Sequence, residues 1–329
     1  MPNSGDTIFV PGAVWNYDEL VKFLEECSQR NVVVIQFVHD LIPIILPEHV
    51  INDVPEQFSD WLNSMARIAS SFIVNSQSTG QDLKKFLAEV GLSEKKVKVV
   101  PLAHEFNVAT NVNEHYKPPI SFADNYGVVG KIHTRVRNAA RLPFVLCVGT
   151  IETRKNVWNL ARAWISLYSE LKYDMPRLIF AGNLGWFKED FDDLMRASGD
   201  CDGLIRIVIR PNDNELEFLY RKCLFSVFLS YYEGWGLPVG EALWCGRPVL
   251  ASCTSSIPEV GGTYADYVDP NSMSDIISGL RKMITDRDYL EERALNIKSM
   301  KKRSWADVAQ DLVVALDDEN ALRQEALAD

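Results

Sequence analysis

The segment with the clearest chemical signature spans residues 232–241 and reads YEGWGLPVGE. It follows an apolar run and leads into a helix predicted to open at Pro238, since proline suits a first helical turn. Amides at a helix start can receive phosphate oxygens, and glycine lets a ligand approach the backbone closely. Glu233 and Glu241, on either side of the turn, could accept hydrogen bonds from sugar hydroxyls. The pattern favours a nucleotide sugar, although two solvated glutamates beside an ordinary turn explain it equally well.

A second cluster, GTIETRKN, occupies residues 149–156 between a predicted strand and a predicted helix. Arg154 and Lys155 stand at the helix start, where the helix dipole disfavours positive charge. They therefore need an anion, either a ligand or a nearby carboxylate. A diphosphate ligand is one hypothesis, and solvated surface cations are the other.

A third candidate, His39, follows the apolar run at residues 32–38 and is followed by Asp40. A histidine at the carboxyl end of a parallel strand lies where ligands bind and can hydrogen-bond a sugar hydroxyl. A structural role is nevertheless more common for a lone histidine. We interpret the remaining histidines as structural or surface groups: His49, His104, His115 and His133.

Several other chemistries lack their sequence patterns. No set of His, Cys, Asp and Glu has metal-ligand spacing, so we predict no metal and no cofactor. The chain contains neither G-x-S-x-G nor a Walker-type loop, which disfavours α/β-hydrolase and P-loop chemistry. No G-x-G-x-x-G follows a predicted strand, so an oxidoreductase with a dinucleotide-binding domain is also disfavoured.

Charge and composition narrow the class of protein further. The 329 residues include 34 Lys and Arg against 45 Asp and Glu, a net charge of −11, which argues against a nucleic-acid partner. The six cysteines form no C-x-x-C pair, as expected of reduced thiols in a cytoplasmic protein. Polar residues interrupt the apolar stretch at 32–46, and the first twenty residues lack a basic secretion signal. We therefore expect a cytoplasmic protein, with contact at the inner face of a membrane left open.

Short β-branched runs alternate with helical patterns, which is typical of α/β folds with parallel sheets. In the first half, Asn16 is predicted to cap the first helix with Glu19 in a capping box, and Gly91 to end the third helix. The predicted strands are residues 7–10, 32–38, 72–74, 97–100, 144–148, 178–181, 205–209, 224–229 and 249–251. We expect two doubly wound halves with the ligand in the cleft between them.

The periodicity fails between residues 106 and 141, which predicts a linker. The expected organisation is a first domain at 1–141, including that linker, and a second domain at 142–304. A final helical segment at 305–329 is expected to return towards the first domain.

Several segments of the sequence resemble a known family. Residues 144–270 are similar to the donor-binding domain of retaining GT-B glycosyltransferases of family four. The matching motifs are VGTIETRKN at 148–156, the E-x7-E element from Glu233 to Glu241, CGRPV at 245–249 and SSIPEV at 255–260. In the first half, HDLIP at 39–43 and IVNSQS at 73–78 resemble acceptor-side elements.

The resemblance implies roles for individual residues. Lys155 would bind the donor diphosphate, Glu233 the hydroxyls of the transferred sugar and Glu241 those of the ribose. His39 would stand beside the sugar, so that His39, Lys155 and Glu233 form the catalytic set. Thr150 occupies a position where many family members carry arginine, and Arg154 would supply the second cation. The predicted donor-binding set is completed by the remaining residues of the two loops: Gly149, Gly234, Trp235, Gly236 and Leu237.

The resemblance also implies a reaction. We expect sugar transfer with retention and without a metal, from a nucleoside-diphosphate sugar to a growing surface glycan or a lipid-linked acceptor. GDP-mannose is the favoured donor. Family members usually have further strands ahead of Thr7–Val10, so we expect a truncated first domain that an additional domain or a homo-oligomer completes. The alternative is a catalytically weak GT-B domain that binds or scaffolds within a larger glycan-assembly protein.

Overall fold

The computed structural model describes residues 1–12, 14–106 and 132–326, which divide into two compact units. Unit 1 contains Met1–Ala103, Tyr232–Gly236 and Arg303–Asp329, and unit 2 contains His104–Tyr231 and Leu237–Lys302. Residues 107–131 of the predicted linker lie outside the described ranges. After them, Thr134–Ala139 forms a short helix.

Unit 1 is built on a four-stranded parallel sheet in the sequential order β1-β2-β3-β4. The strands are β1 Thr7–Val10, β2 Val33–Val38, β3 Ser71–Val74 and β4 Lys96–Val99. The helices are α1 Asp18–Gln29, α2 Ile42–Ile45, α3 Val54–Ile68, α4 Gln77–Glu89 and the late helix Trp305–Ala326. The core on one sheet face includes Leu24, Leu62 and Leu83 from α1, α3 and α4, whereas Val308 and Ala315 of the late helix pack on the other face.

Unit 2 is built on a six-stranded parallel sheet in the order β10-β9-β8-β5-β6-β7. Its strands are β5 Phe144–Val148, β6 Arg177–Gly182, β7 Ile205–Ile209, β8 Ser226–Phe228, β9 Val249–Ser252 and β10 Asp266–Val268. Its helices are α5 Thr134–Ala139, α6 Val157–Leu171, α7 Glu189–Gly203, α8 Asp213–Lys222, α9 Leu237–Trp244, α10 Ile257–Gly261, α11 Met273–Thr285 and α12 Arg287–Lys298. The late helix of unit 1, Trp305–Ala326, follows these in the chain and is numbered α13. The strand order reverses between β5 and β8, which is where doubly wound sheets bind ligands.

Local details differ from the sequence predictions at three places. The predicted cap at Asn16 is wrong: α1 begins at Asp18, and the carbonyl of Tyr17 accepts the first helical amides. Strand β8 is shorter than 224–229, and β10 was not predicted because its three residues, Asp-Tyr-Val, form no apolar run. The predicted helix end at Gly91 is confirmed by its φ of +76° and by the bond from its amide to the carbonyl of Ala88.

None of the helices that the structure describes has both the length and the apolar character needed to cross a lipid bilayer.

Candidate functional site

The loop after β5 lies at the point where the strand order of unit 2 reverses. Gly149 has φ +147°, a conformation that other residues rarely adopt, and its amide donates to the carbonyl of Ala181 at 3.1 Å. The loop after β6 packs tightly against it, since a Cβ on Gly182 would lie 2.0 Å from the carbonyl oxygen of Gly149. A Cβ on Gly185 would approach the γ-methyl of Thr150 to 2.7 Å. The backbone of residues 149–150 is therefore held in one position.

Lys155 ends the 3-10 turn Thr153–Lys155 that follows this loop. Its Cδ and Cε would lie 3.7 Å from a Cβ on Gly149, and its Nζ lies 5.1 Å from the ring centroid of Phe228. The lysine stem thus passes over a glycine, and the ring of the last β8 residue attracts the ammonium group. A side chain at Gly149 would occupy part of this space. The arrangement presents a fixed positive charge beside the loops that follow β5 and β8.

The thiol of Cys147, in β5, lies close enough to this ammonium group for its ionisation to be affected. Burial raises the pKa of Cys147 to about 12, and the charge of Lys155 only partly opposes this effect. Cys147 therefore remains a neutral thiol at physiological pH and does not neutralise Lys155.

Arg154, in contrast, has a carboxylate partner within the protein. Its Nη2 lies 2.9 Å from Oε1 of Glu152, and both side chains are largely buried. The sequence left open whether a ligand or a nearby carboxylate balances the cations of this loop, and for Arg154 the structure contains such a carboxylate. The carbonyl of Arg154 also accepts bonds from the amide of Tyr231 and the hydroxyl of Ser230, which ties the turn to the residues after β8.

Asn156 holds the end of this turn, a role that the sequence reading did not assign. It is 2% exposed, has the left-handed φ of +58°, and donates from Nδ2 to the carbonyl of Pro270 at 2.9 Å. Its Oδ1 accepts a bond from Asn159, which also donates to the hydroxyl of Tyr231. Asparagine tolerates the left-handed region better than other residues with a side chain.

Replacing Asn156 by alanine is expected to lower the free energy of unfolding by about 1–3 kcal/mol, because the buried carbonyl of Pro270 loses its donor. Urea titration followed by circular dichroism measures this change. Asn156→Gly is the matched variant, since glycine loses the same bonds but relieves the left-handed strain. If Asn156→Ala unfolds at the wild-type urea concentration, the bond to Pro270 has no stabilising role.

Glu241 lies in the middle of α9 and is also in unit 2. Its Oε2 accepts a hydrogen bond from the hydroxyl of Tyr220 at 2.8 Å. Burial raises the pKa of Glu241, the bond from Tyr220 lowers it, and the charge of Asp213 raises it. Leu237, the first residue of α9, is exposed, and Pro238 is the second, close to the predicted helix start.

His39, in unit 1, lies directly after β2 as predicted and is exposed to solvent. Its Nε2 lies 3.1 Å from the carbonyl oxygen of Pro11. Because a carbonyl can only accept, Nε2 must carry the proton of this bond. In the neutral ring, Nδ1 is then the nitrogen that can accept a hydrogen bond from a hydroxyl group.

The segment Tyr232–Gly236 belongs to unit 1 and packs against the residues around His39. A Cβ on Gly234 would lie 2.1 Å from the carbonyl oxygen of His39, so only glycine fits there. The Thr79 hydroxyl lies 3.3 Å from the carbonyl of Gly234 and 3.4 Å from that of His39, and the hydroxyl of Tyr232 donates to Asp82. This packing fixes the backbone on either side of Glu233.

Glu233 and Trp235, which flank Gly234, are both largely buried, at 8% and 6% exposed. The predicted site residues therefore form two sets, one in each unit. Unit 1 contains His39, Glu233, Gly234, Trp235 and Gly236, and unit 2 contains Gly149, Thr150, Arg154, Lys155, Leu237 and Glu241.

Two further observations concern other kinds of site. Among the residues that the structure describes, no three His, Cys, Asp or Glu side chains are grouped so that they could hold a metal ion. A cavity of about 900 Å³ in unit 2 is lined by residues that precede the strands, including Pro143, Pro176 and Pro248. It lies at the amino-terminal edge of the sheet, and none of the predicted site residues lines it.

Residues 130–303 match the sequence model of a family described as "Glycosyl transferases group 1". The chain belongs to this family. The chain is similar to O-antigen chain mannosyltransferase B of Escherichia coli, with 34% identity over 163 residues. These residues cover 49% of this chain and 42% of the relative. It is also similar to the serotype-specific mannosyltransferase WbdA of Escherichia coli, with 28% identity over 280 residues that cover 82% of this chain and 32% of the relative. The chain thus spans less than half the length of either relative.

Solved structures with the same fold include Anabaena Alr3699/HepE in complex with UDP-glucose, with a TM-score of 0.68 and 17% identity over 95% of this chain and 79% of that one. Another is WaaG, a glycosyltransferase involved in lipopolysaccharide biosynthesis, with a TM-score of 0.64 and 16% identity over 90% of this chain and 81% of that one. These similarities confirm the predicted GT-B-like α/β fold.

Proposed function

We propose that this group 1 chain is a retaining, metal-independent glycosyltransferase that takes its sugar from a nucleoside-diphosphate sugar. The observation that carries the proposal is the position of Lys155, whose stem lies over Gly149 at the reversal of strand order in unit 2. A fixed cation at the carboxyl end of β5 suits a diphosphate. The UDP-glucose bound by Alr3699/HepE, which shares the fold, supports a nucleotide sugar as ligand.

In this proposal each of these residues has a distinct role. In unit 2, Lys155 binds the diphosphate and Glu241 accepts bonds from the ribose hydroxyls, with Thr150 and Arg154 beside the phosphates. In unit 1, Glu233 binds the hydroxyls of the transferred sugar, and the amides that follow it meet phosphate or sugar.

The catalytic effect in this proposal is electrostatic. As the bond between the sugar and the diphosphate breaks, negative charge accumulates on the departing nucleoside diphosphate, and Lys155 stabilises that charge. The acceptor hydroxyl attacks from the face that the leaving group vacates and gives its proton to the departing diphosphate, so the anomeric configuration is retained. Nδ1 of His39 accepts a hydrogen bond from a sugar hydroxyl beside the reaction centre.

The donor sugar and the acceptor are inferred from the relatives. Mannose is the favoured sugar, and GDP-mannose the favoured donor, because two E. coli relatives are named mannosyltransferases. The acceptor is a growing surface glycan or its lipid-linked precursor, which would bring the protein to the inner face of the membrane.

A donor panel tests the proposal. The purified chain is incubated with GDP-mannose, UDP-glucose, UDP-galactose and dTDP-rhamnose, and the release of nucleoside diphosphate is measured with and without EDTA. We expect release from GDP-mannose that EDTA does not reduce and that Glu233→Gln abolishes. Tight GDP binding without turnover of any donor would favour the scaffold alternative. If the chain binds none of these nucleotides, both the transferase proposal and the scaffold alternative are overturned.

A further inference from the structure

Tyr220 is a fully buried tyrosine near the end of α8 that no sequence motif identified. Its hydroxyl donates to Oε2 of Glu241 at 2.8 Å and lies 3.4 Å from the carbonyl oxygen of Pro238. Its ring packs edge-on against that of Phe106, with the centroids 5.8 Å apart. One α8 side chain thus contacts both the start and the middle of α9.

The two carboxylate oxygens of Glu241 differ in their contacts with the described residues. Within the part of the chain that the structure describes, Oε2 accepts the bond from Tyr220, and Oε1 accepts no hydrogen bond. We propose that Tyr220 is a positioning residue, whose hydroxyl orients the Glu241 carboxylate so that Oε1 can accept from the ribose of a nucleotide. This inference rests on the proposed function, because it concerns the nucleotide that Glu241 is proposed to bind.

The hydroxyl also favours the ionised form of Glu241. Burial raises the pKa of Glu241, and the negative charge of Asp213, on α8, raises it further. The bond from Tyr220 is the interaction that lowers it, since the phenol donates to the charged form of the carboxyl group. Another ionisable neighbour is the thiol of Cys245, directly after α9, whose pKa burial raises to about 11, so that it is neutral near pH 7.

The direction of the pH effect follows from these interactions. Ribose hydroxyls donate more strongly to a carboxylate than to its protonated form, so nucleotide affinity falls as pH decreases through the pKa of Glu241. Removing the Tyr220 hydroxyl removes the interaction that lowers this pKa. The loss of affinity should then begin at a higher pH than in the wild type.

Tyr220→Phe tests the inference, because phenylalanine fills the same volume and keeps the ring contact with Phe106. The dissociation constant of GDP is measured by isothermal titration calorimetry between pH 5 and 8. At pH 7.5 we expect the constant to rise about 3- to 10-fold, the usual effect of one lost hydrogen bond. We also expect the pH at which affinity is half lost to move upwards.

Two further variants make the result specific. Tyr289→Phe removes another tyrosine hydroxyl of unit 2, one that donates to Asp266, and should leave both the affinity and its pH profile unchanged. In a Glu241→Gln background, position 241 no longer titrates, and Tyr220→Phe should have little further effect. A Tyr220→Phe protein with the wild-type constant, or with a uniformly weaker one and no shift with pH, would overturn the positioning role. Failure of the wild-type protein to bind GDP or UDP would instead overturn the proposed function.

Discussion

Replacing Lys155 by methionine is expected to reduce the rate of sugar transfer by about 10²- to 10³-fold, the usual cost of losing one group that stabilises a developing oxyanion. Methionine keeps most of the stem that passes over Gly149 and removes only the charge. The stem lies 3.7 Å from the Cβ position of Gly149, and the ammonium group 5.1 Å from the ring centroid of Phe228, so the charge is held in place before the donor binds. Single-turnover kinetics with GDP-mannose measure the effect.

Lys222 provides the matched control. It is also a lysine of unit 2 whose ammonium group lies over a phenylalanine ring, that of Phe218, at 5.4 Å. It lies at the end of α8, however, and lines the cavity at the amino-terminal edge of the sheet. Lys222→Met should therefore keep the wild-type rate. Equal rates for wild type and Lys155→Met would remove Lys155 from the mechanism.

Adding one methyl group at Gly234 is expected to have an effect of similar size. The Cβ of alanine would lie 2.1 Å from the carbonyl oxygen of His39 and 2.9 Å from the Cβ of Asp40, and a backbone clash cannot be relieved by rotating a side chain. The segment carrying Glu233 must then move away from His39. A displacement of about 1 Å at a reacting centre can cost about 100-fold in rate.

The same substitution should weaken nucleotide binding much less than transfer, because Lys155 and Glu241 belong to unit 2. Transfer rate and the GDP dissociation constant are therefore measured on the same preparation. Gly80→Ala is the control for unit 1, since its added Cβ would make ordinary contacts of 3.4–3.5 Å with Val74 and Val99. Normal transfer by Gly234→Ala would show that the close approach to His39 has no catalytic importance.

Much of the fold could be predicted because buried parallel strands are encoded as local apolar runs. Strands β2 and β5 are buried along their whole length, and both were located to within a residue. The positions of the candidate residues followed from the same rule, since residues after parallel strands gather at one edge of a sheet. His39 directly after β2 and Gly149 directly after β5 are such positions.

The interactions between distant segments could not be predicted. Tyr220 and Glu241 are separated by 21 positions and Asn156 and Pro270 by 114, and no spacing rule relates such pairs. The pair formed by Glu152 and Arg154 is close in sequence, yet its formation depends on the burial of both side chains. The capping error at Asn16 has a different origin, because several residues near a helix start satisfy the same weak preference.

Isothermal titration of GDP into the wild-type protein, Lys155→Met and Glu241→Gln tests the central claim most directly. The claim is that a lysine after β5 and a glutamate on α9 of unit 2 bind one nucleoside diphosphate. We predict measurable binding to the wild type, at least tenfold weaker binding to Lys155→Met, and weaker binding to Glu241→Gln that loses its dependence on pH. Wild-type affinity in both variants would contradict the account.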